Sequence, residues 1–220
     1  MPKSAPDRVI VYIDGFNLYF GLRDANYRRF YWLNLNAVSQ NLLRPGQQLA
    51  AVKYFTARIS GARHGDSPAR AADRDAKRQR QSEYLEALGT LDSFSIFEGH
   101  YQSKPARCNN CGATWVRHEE KMTDVQIATQ LLTDAFQGGF DRAIIVSADS
   151  DLVPPVNMVR SIFPDKRIIA VFPPKRFSDD MRSACHGYVH LGRDVLKASV
   201  FPDCVSRKDG RVLRRPTSWA

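Results

Sequence analysis

The sequence predicts an α/β fold with a mainly parallel sheet flanked by helices. Two observations point that way: short β-branched runs recur along the chain, and helix-compatible stretches separate them. The first run is Arg8-Val9-Ile10-Val11-Tyr12-Ile13, which reads as a buried parallel strand leaving through Asp14-Gly15. Residues 50–57, 93–99, 142–147 and 167–172 read as four more strands, the last closed by Pro173-Pro174. Residues 188–191 add a short sixth. Residues 67–90, rich in Ala, Arg, Gln, Glu and Leu, read as a helix, as do residues 119–137 with their apolar stripe. A helix over 151–162 takes Pro154 and Pro155 in its first turn, where proline costs no intrahelical hydrogen bond. A single domain is expected over residues 1–200, with an insertion at about 100–118 and a mobile basic tail over 201–220.

Composition narrows the class. A chain of 220 residues and 24.9 kDa, 43% hydrophobic and 25% charged, can bury a sizeable core. No apolar run reaches the ~18 residues of a membrane span. The N-terminal residues resemble no secretory signal, and 4 cysteines are too few for a disulfide scaffold, so a soluble cytoplasmic protein is expected. Lys and Arg number 32 against 23 Asp and Glu, a net charge of +9 with a pI near 9.6. Such an excess suits an anionic partner, of which nucleic acid is the commonest, although it also serves solubility.

Acids fall where an open α/β sheet binds its ligands, beyond the carboxyl ends of the strands. Asp14 follows the first strand; Asp149 and Asp151 follow the fourth. Asp124 heads the stripe Ile127, Ala128, Leu131, Ala135, and Glu120 lies one turn before it. A carboxylate on a core-facing stripe is costly unless paired or bound to a metal. Singly, each acid has a plainer explanation as a turn residue, a helix cap or a complement to the helix dipole. Together they place several like charges side by side, a repulsion that Mg²⁺ or Mn²⁺ would remove. An acid cluster in a basic chain describes a metal-dependent phosphodiesterase. No GxGxxG follows a strand and no GxxxxGK[ST] occurs, which removes the basis for a nucleotide cofactor. Neither a GxSxG elbow nor an HExxH pair is present.

Three segments bear a family likeness: Val9-Ile10-Val11-Tyr12-Ile13-Asp14-Gly15-Phe16-Asn17-Leu18, Glu119-Glu120-Lys121-Met122-Thr123-Asp124-Val125-Gln126-Ile127-Ala128, and Ser147-Ala148-Asp149-Ser150-Asp151-Leu152-Val153-Pro154. They resemble the motifs of NYN domains, of the PIN-like nuclease superfamily, and look closest to the bacterial LabA-like group. The resemblance spans roughly Val9 to Phe172. It implies a PIN-like sheet and a metal-dependent ribonuclease site, with Asp14, Asp124, Asp149 and Asp151 as metal ligands and Asn17 and Ser147 in support. Asn17 joins the catalytic candidates, and Lys121, inside the second motif, is a candidate nucleic-acid contact.

Cys108-Asn109-Asn110-Cys111-Gly112 has the spacing of half a zinc site. His100 and His118 bracket it as candidates to complete a structural zinc, against the alternative of a reduced pair in a turn. Within residues 67–90, Arg70, Arg74 and Lys77 share one helical face that would track a phosphate backbone, unless internal ion pairs occupy it. The tail's Arg207, Lys208, Arg211, Arg214 and Arg215 offer a mobile basic arm, and Phe16, Tyr19 and Tyr101 offer stacking platforms. The expected function is thus a Mg²⁺- or Mn²⁺-dependent endoribonuclease acting on single-stranded RNA. The alternatives are a non-catalytic RNA-binding or regulatory module and a structure-specific DNA nuclease.

Overall fold

The computed structural model describes residues 5–62 and 65–220, with the side chains of these except 101–106 and 115–121. Its centre is a seven-stranded sheet. Strands β1 (Asp7–Asp14), β2 (Gln47–Ala57), β3 (Phe94–Arg107), β4 (Thr114–Lys121), β5 (Arg142–Val146), β6 (Arg167–Phe172) and β7 (Gly187–His190) stand in the order β4-β3-β2-β1-β5-β6-β7. All neighbours pair in parallel except β3 and β4, which form an antiparallel hairpin at one edge. The chain runs outward from β1 through β2 and β3, then returns to place β5 on the other side of β1. That reversal makes the carboxyl ends of β1 and β5 the topological switch point.

Alternation along β1 separates two cores. Val9, Val11 and Ile13 face helices α1 (Gly15–Asp24), α2 (Leu35–Leu42), α3 (Pro68–Leu88) and α7 (Arg193–Ala198) through Leu18, Leu22, Leu35, Val38, Leu85, Leu88 and Leu196. Ile10 and Tyr12 face α4 (Thr123–Phe136), α5 (Val153–Ile162) and α6 (Asp179–Ala184) through Ile127, Leu131, Val156, Val159 and Met181. Burial on both faces is why β1 reads as one apolar run.

Several boundaries differ from expectation. Residues 100–118, expected as an insertion, lie on the β3–β4 hairpin, and β3 runs on to Arg107 instead of ending near Gly99. Glu119, Glu120 and Lys121 lie on β4, not on a helix that begins at residue 119. Met122, at φ 83, turns the chain, and α4 starts at Thr123. Glu120 is therefore not one helical turn before Asp124.

The tail also differs. Residues 201–220 pack against the domain as a hairpin of β8 (Cys204–Ser206) and β9 (Val212–Arg214), burying Val205 and Leu213. Three of its cations are engaged: Arg207 pairs with Glu86 at 2.6 Å, Arg211 with the same carboxylate at 3.0 Å, and Arg215 with Asp203 at 3.5 Å. A free basic arm is not what these residues form, because apolar burial and ion pairs hold the segment down. No described helix is long and apolar enough to cross a membrane.

Candidate metal centre at the carboxyl ends of the strands

Asp14 ends β1 and caps α1, its Oδ1 accepting the Asn17 N–H at 2.9 Å. Gly15 follows because nothing larger fits: a Cβ there would lie 2.6 Å from the Phe55 carbonyl oxygen and 2.7 Å from the Tyr54 hydroxyl. The Ser147 hydroxyl, fully buried after β5, donates to Asp14 Oδ2 at 2.8 Å and accepts the Asp149 N–H at 3.0 Å. Asn17 Oδ1 accepts the Ala148 N–H at 3.1 Å. Two polar side chains thus clamp the loop after β5 onto the loop after β1. Asp149 in turn caps a short helical turn, Ser150–Leu152, accepting the Asp151 N–H at 3.0 Å.

Asp124 arrives from the other direction, in the first turn of α4. Ile127, Leu131 and Ala135 on its stripe are buried, and they bring Asp124 to the switch point. Asp14, Asp124 and Asp149 each offer an oxygen within 4.8 Å of the others. Among the described residues no Lys or Arg pairs with any of the three. The crowding appears in their proton affinities. Burial, then Asp149, Asp14 and Asp151, push the Asp124 carboxyl up to about 6. Asp14 is raised as well, first by burial, against the pull of its hydrogen bonds from Asn17 and Ser147. Three carboxylates without a counter-charge form a hard, all-oxygen donor set of the kind that suits Mg²⁺ or Mn²⁺.

The other expected residues divide. Asp151 is exposed and stands outside the triad, acting on it through its charge. Asn17 reaches the Ala148 backbone, which makes it a positioning residue for the loop. Arg74 is bound to Asp66 at 3.0 Å and Lys77 to Asp73 at 2.8 Å, so internal ion pairs occupy that face of α3 beside an exposed Arg70. The side chains of Tyr101, His118, Glu120 and Lys121 lie outside the described residues.

The hairpin register separates the cysteines from the histidines. Cys108 and Cys111 sit at the tip, beyond the Arg107–Thr114 pair, whereas His100 pairs with Lys121 at the base. Eight residues of strand at ~3.3 Å each put His100 about 26 Å from Cys108. His118 pairs with Ser103, five residues from Cys108 or about 16 Å at the same rise. His100 does not reach a zinc held by the two thiols, since Zn–S and Zn–N bonds are only ~2–2.3 Å long. At the tip, the Cys111 and Asn110 N–H groups hydrogen-bond to Cys108 and lower its thiol pKa.

One polar group carried no sequence signal as a unit. On the α4 face the Tyr12 hydroxyl donates to Asp134 Oδ2 at 2.5 Å, and Lys53 Nζ donates to Asp134 Oδ1 at 2.8 Å and to Gln130 at 2.7 Å. The network fastens α4, and with it Asp124, to β1 and β2. Burial and the Asp134 carboxylate push the Tyr12 phenol far up.

The NYN domain model matches residues 8–192. The chain belongs to the NYN domain family. NYN domains fall within the PIN-like nuclease superfamily, and the mostly parallel, helix-flanked sheet is the fold that membership implies. This NYN chain is also similar to 6-hydroxy-3-succinoylpyridine 3-monooxygenase of Pseudomonas putida, at 30% identity over 91% of this chain and 70% of that one. A crystal structure of a protein of unknown function from Vibrio parahaemolyticus shares the fold, with a TM-score of 0.51 and 16% identity over 91% of this chain and 100% of that one.

Proposed function

We propose that this NYN domain hydrolyses phosphodiester bonds in single-stranded RNA, with Mg²⁺ or Mn²⁺ held by Asp14, Asp124 and Asp149. The observation that carries the reading is the uncompensated triad itself: three acids share a switch point at a cost that a divalent cation would remove. When bound, the cation supplies Lewis-acid activation of the phosphodiester and of the attacking water. The protein's part is positional. Ser147 and Asn17 hold Asp14 and Asp149 in fixed orientations before any ligand arrives. Asp124 would have to be ionised to hold a cation, so binding would release acid and weaken below about pH 6. Asp151 adds negative field at the rim. Unpaired bases suit a recessed site, because the backbone can bend toward it while the bases stack elsewhere.

The test is cleavage of labelled single-stranded RNA by wild type and Asp149→Asn, with Mn²⁺, with Mg²⁺ and with EDTA. Cleavage by wild type alone, stopped by EDTA, supports the proposal. RNA bound but left intact, with Asp149→Asn indistinguishable from wild type, sinks it in favour of a non-catalytic RNA-binding module. Paired RNA and DNA substrates separate a ribonuclease from a DNA nuclease.

The Pseudomonas putida relative favours a second reading, in which this chain oxygenates a small aromatic acid. Oxygen uptake that depends on 6-hydroxy-3-succinoylpyridine and a reductant, without RNA cleavage, would support it.

A further inference from the structure

On the sheet face that carries α1 and α3, a cavity of about 450 Å³ reaches the carboxyl end of β1. Gly15, the residue after Asp14, forms part of its wall, and so does Tyr54, whose buried hydroxyl is close enough to feel the Asp14 charge. The size falls within the ~300–1,000 Å³ of small-ligand sites.

Its lining combines two chemistries. Tyr19, Tyr31, Tyr84 and Trp219 form a connected aromatic wall, with centroids 5.1 Å apart for Tyr19 and Tyr31, 5.7 Å for Tyr31 and Trp219, and 6.1 Å for Tyr84 and Trp219. Tyr19 is 44% exposed, so the wall reaches solvent and the space is not a sealed packing defect. Four cationic side chains line the cavity against one carboxylate, Asp73. Lys77 neutralises Asp73 and Arg23 pairs with Asp24. Arg28 and Arg80 have no ion-pair partner among the described residues. Aromatic faces take a planar ring irrespective of its identity, and a guanidinium binds phosphate or carboxylate in fixed geometry. The combination selects a heteroaromatic ring bearing an anion.

We propose that this cavity binds one nucleotide of the RNA strand, its base among the tyrosines and Trp219 and its phosphate on Arg28 and Arg80, adjoining the phosphodiester presented to the triad. The assignment rests on the nuclease reading above. It gives the site a second foothold that fixes the strand's register, so one nucleotide beside the cut is held by its base.

Binding is separable from cleavage. Isothermal titration calorimetry of the full chain in EDTA, with uridine and adenosine 5′-monophosphates and the UpU dinucleotide, reads the cavity without turnover. Tyr19→Ala and Arg80→Ala, each checked for an unchanged melting profile, are expected to weaken nucleotide binding about tenfold or more. Arg78→Ala, on the same helix as Arg80 but outside the cavity, is the control and should bind as wild type does. Nucleotides that fail to bind, or that bind both cavity variants as tightly as wild type, overturn the proposal. So does 6-hydroxy-3-succinoylpyridine binding more tightly than every nucleotide in a way that depends on Tyr19 and Arg80, which would assign the cavity to a small aromatic acid. RNA left uncut while nucleotide binding stays sensitive to Tyr19 and Arg80 would remove the cleavage reading and leave the nucleotide site standing.

Discussion

Asp124→Asn takes one negative charge out of the triad while keeping the shape of the side chain. The Asp124 carboxyl titrates at about 6 instead of the ordinary 3.8. At ~1.36 kcal/mol for each tenfold change in proton affinity, that gap corresponds to about 3 kcal/mol against the ionised form. The side chain is only half-buried, so solvent screening reduces the figure to about 1–2 kcal/mol. The sign follows from linkage. A carboxyl that holds its proton more tightly folded than unfolded makes the protein less stable as pH rises from about 4 through 6. Metal-free Asp124→Asn is therefore expected to match wild type near pH 4 and to exceed it by about 1–2 kcal/mol above pH 7. Urea denaturation in EDTA reads the difference as a midpoint shift. Saturating Mn²⁺ should reverse the order, because only wild type gains the full binding free energy. A variant no more stable than wild type at pH 8 in EDTA would refute the reasoning, since the repulsion would not be there to relieve.

Three further outcomes are expected. Ser147→Ala leaves Asp14 Oδ2 and the Asp149 N–H without their shared partner, costing about 1–3 kcal/mol by urea denaturation. In Mn²⁺ titrations the same change should weaken affinity about 10- to 100-fold, as loss of a ligand's hydrogen-bonded support does. Asp134→Ala strands Lys53 in a mostly buried position and is expected to cost about 3–5 kcal/mol, while Lys53→Met combined with Asp134→Leu should recover much of it. Leu213→Ala, which hollows out the seat of the C-terminal hairpin, should lower stability by about 2–5 kcal/mol, whereas a mobile tail would show no change.

What could be read from the residues follows a physical division. Asp14 ends one apolar strand and Asp149 lies three residues beyond another, and the carboxyl ends of neighbouring parallel strands lie side by side, so their meeting is a matter of topology that local sequence reveals. Asp124 is visible because it heads a stripe whose other members are all apolar. The start of α4 was hidden, since Glu119-Glu120-Lys121 suits a helix by propensity and pairing with β3 overrides it. The tail misled for the opposite reason: Val205 and Leu213 are few among many charges, and their burial decides where those charges go. His100 and His118 lie near Cys108 in sequence, but along a hairpin every residue away from the tip adds distance. Lys53 and Asp134 are 81 residues apart, with no local pattern to join them.

Asp14 and Asp149 each serve two ends at once, since both also cap the turn that follows them. Asparagine caps such turns about as well as aspartate does. The codons of the two residues differ by a single base. A lineage descended from this chain can therefore abandon the proposed chemistry one mutation at a time while keeping the caps of α1 and of the turn after β5. Silent, well-folded descendants are the natural by-product of placing reactive groups at helix caps, and asparagine at these positions is the mark by which such a descendant would be known.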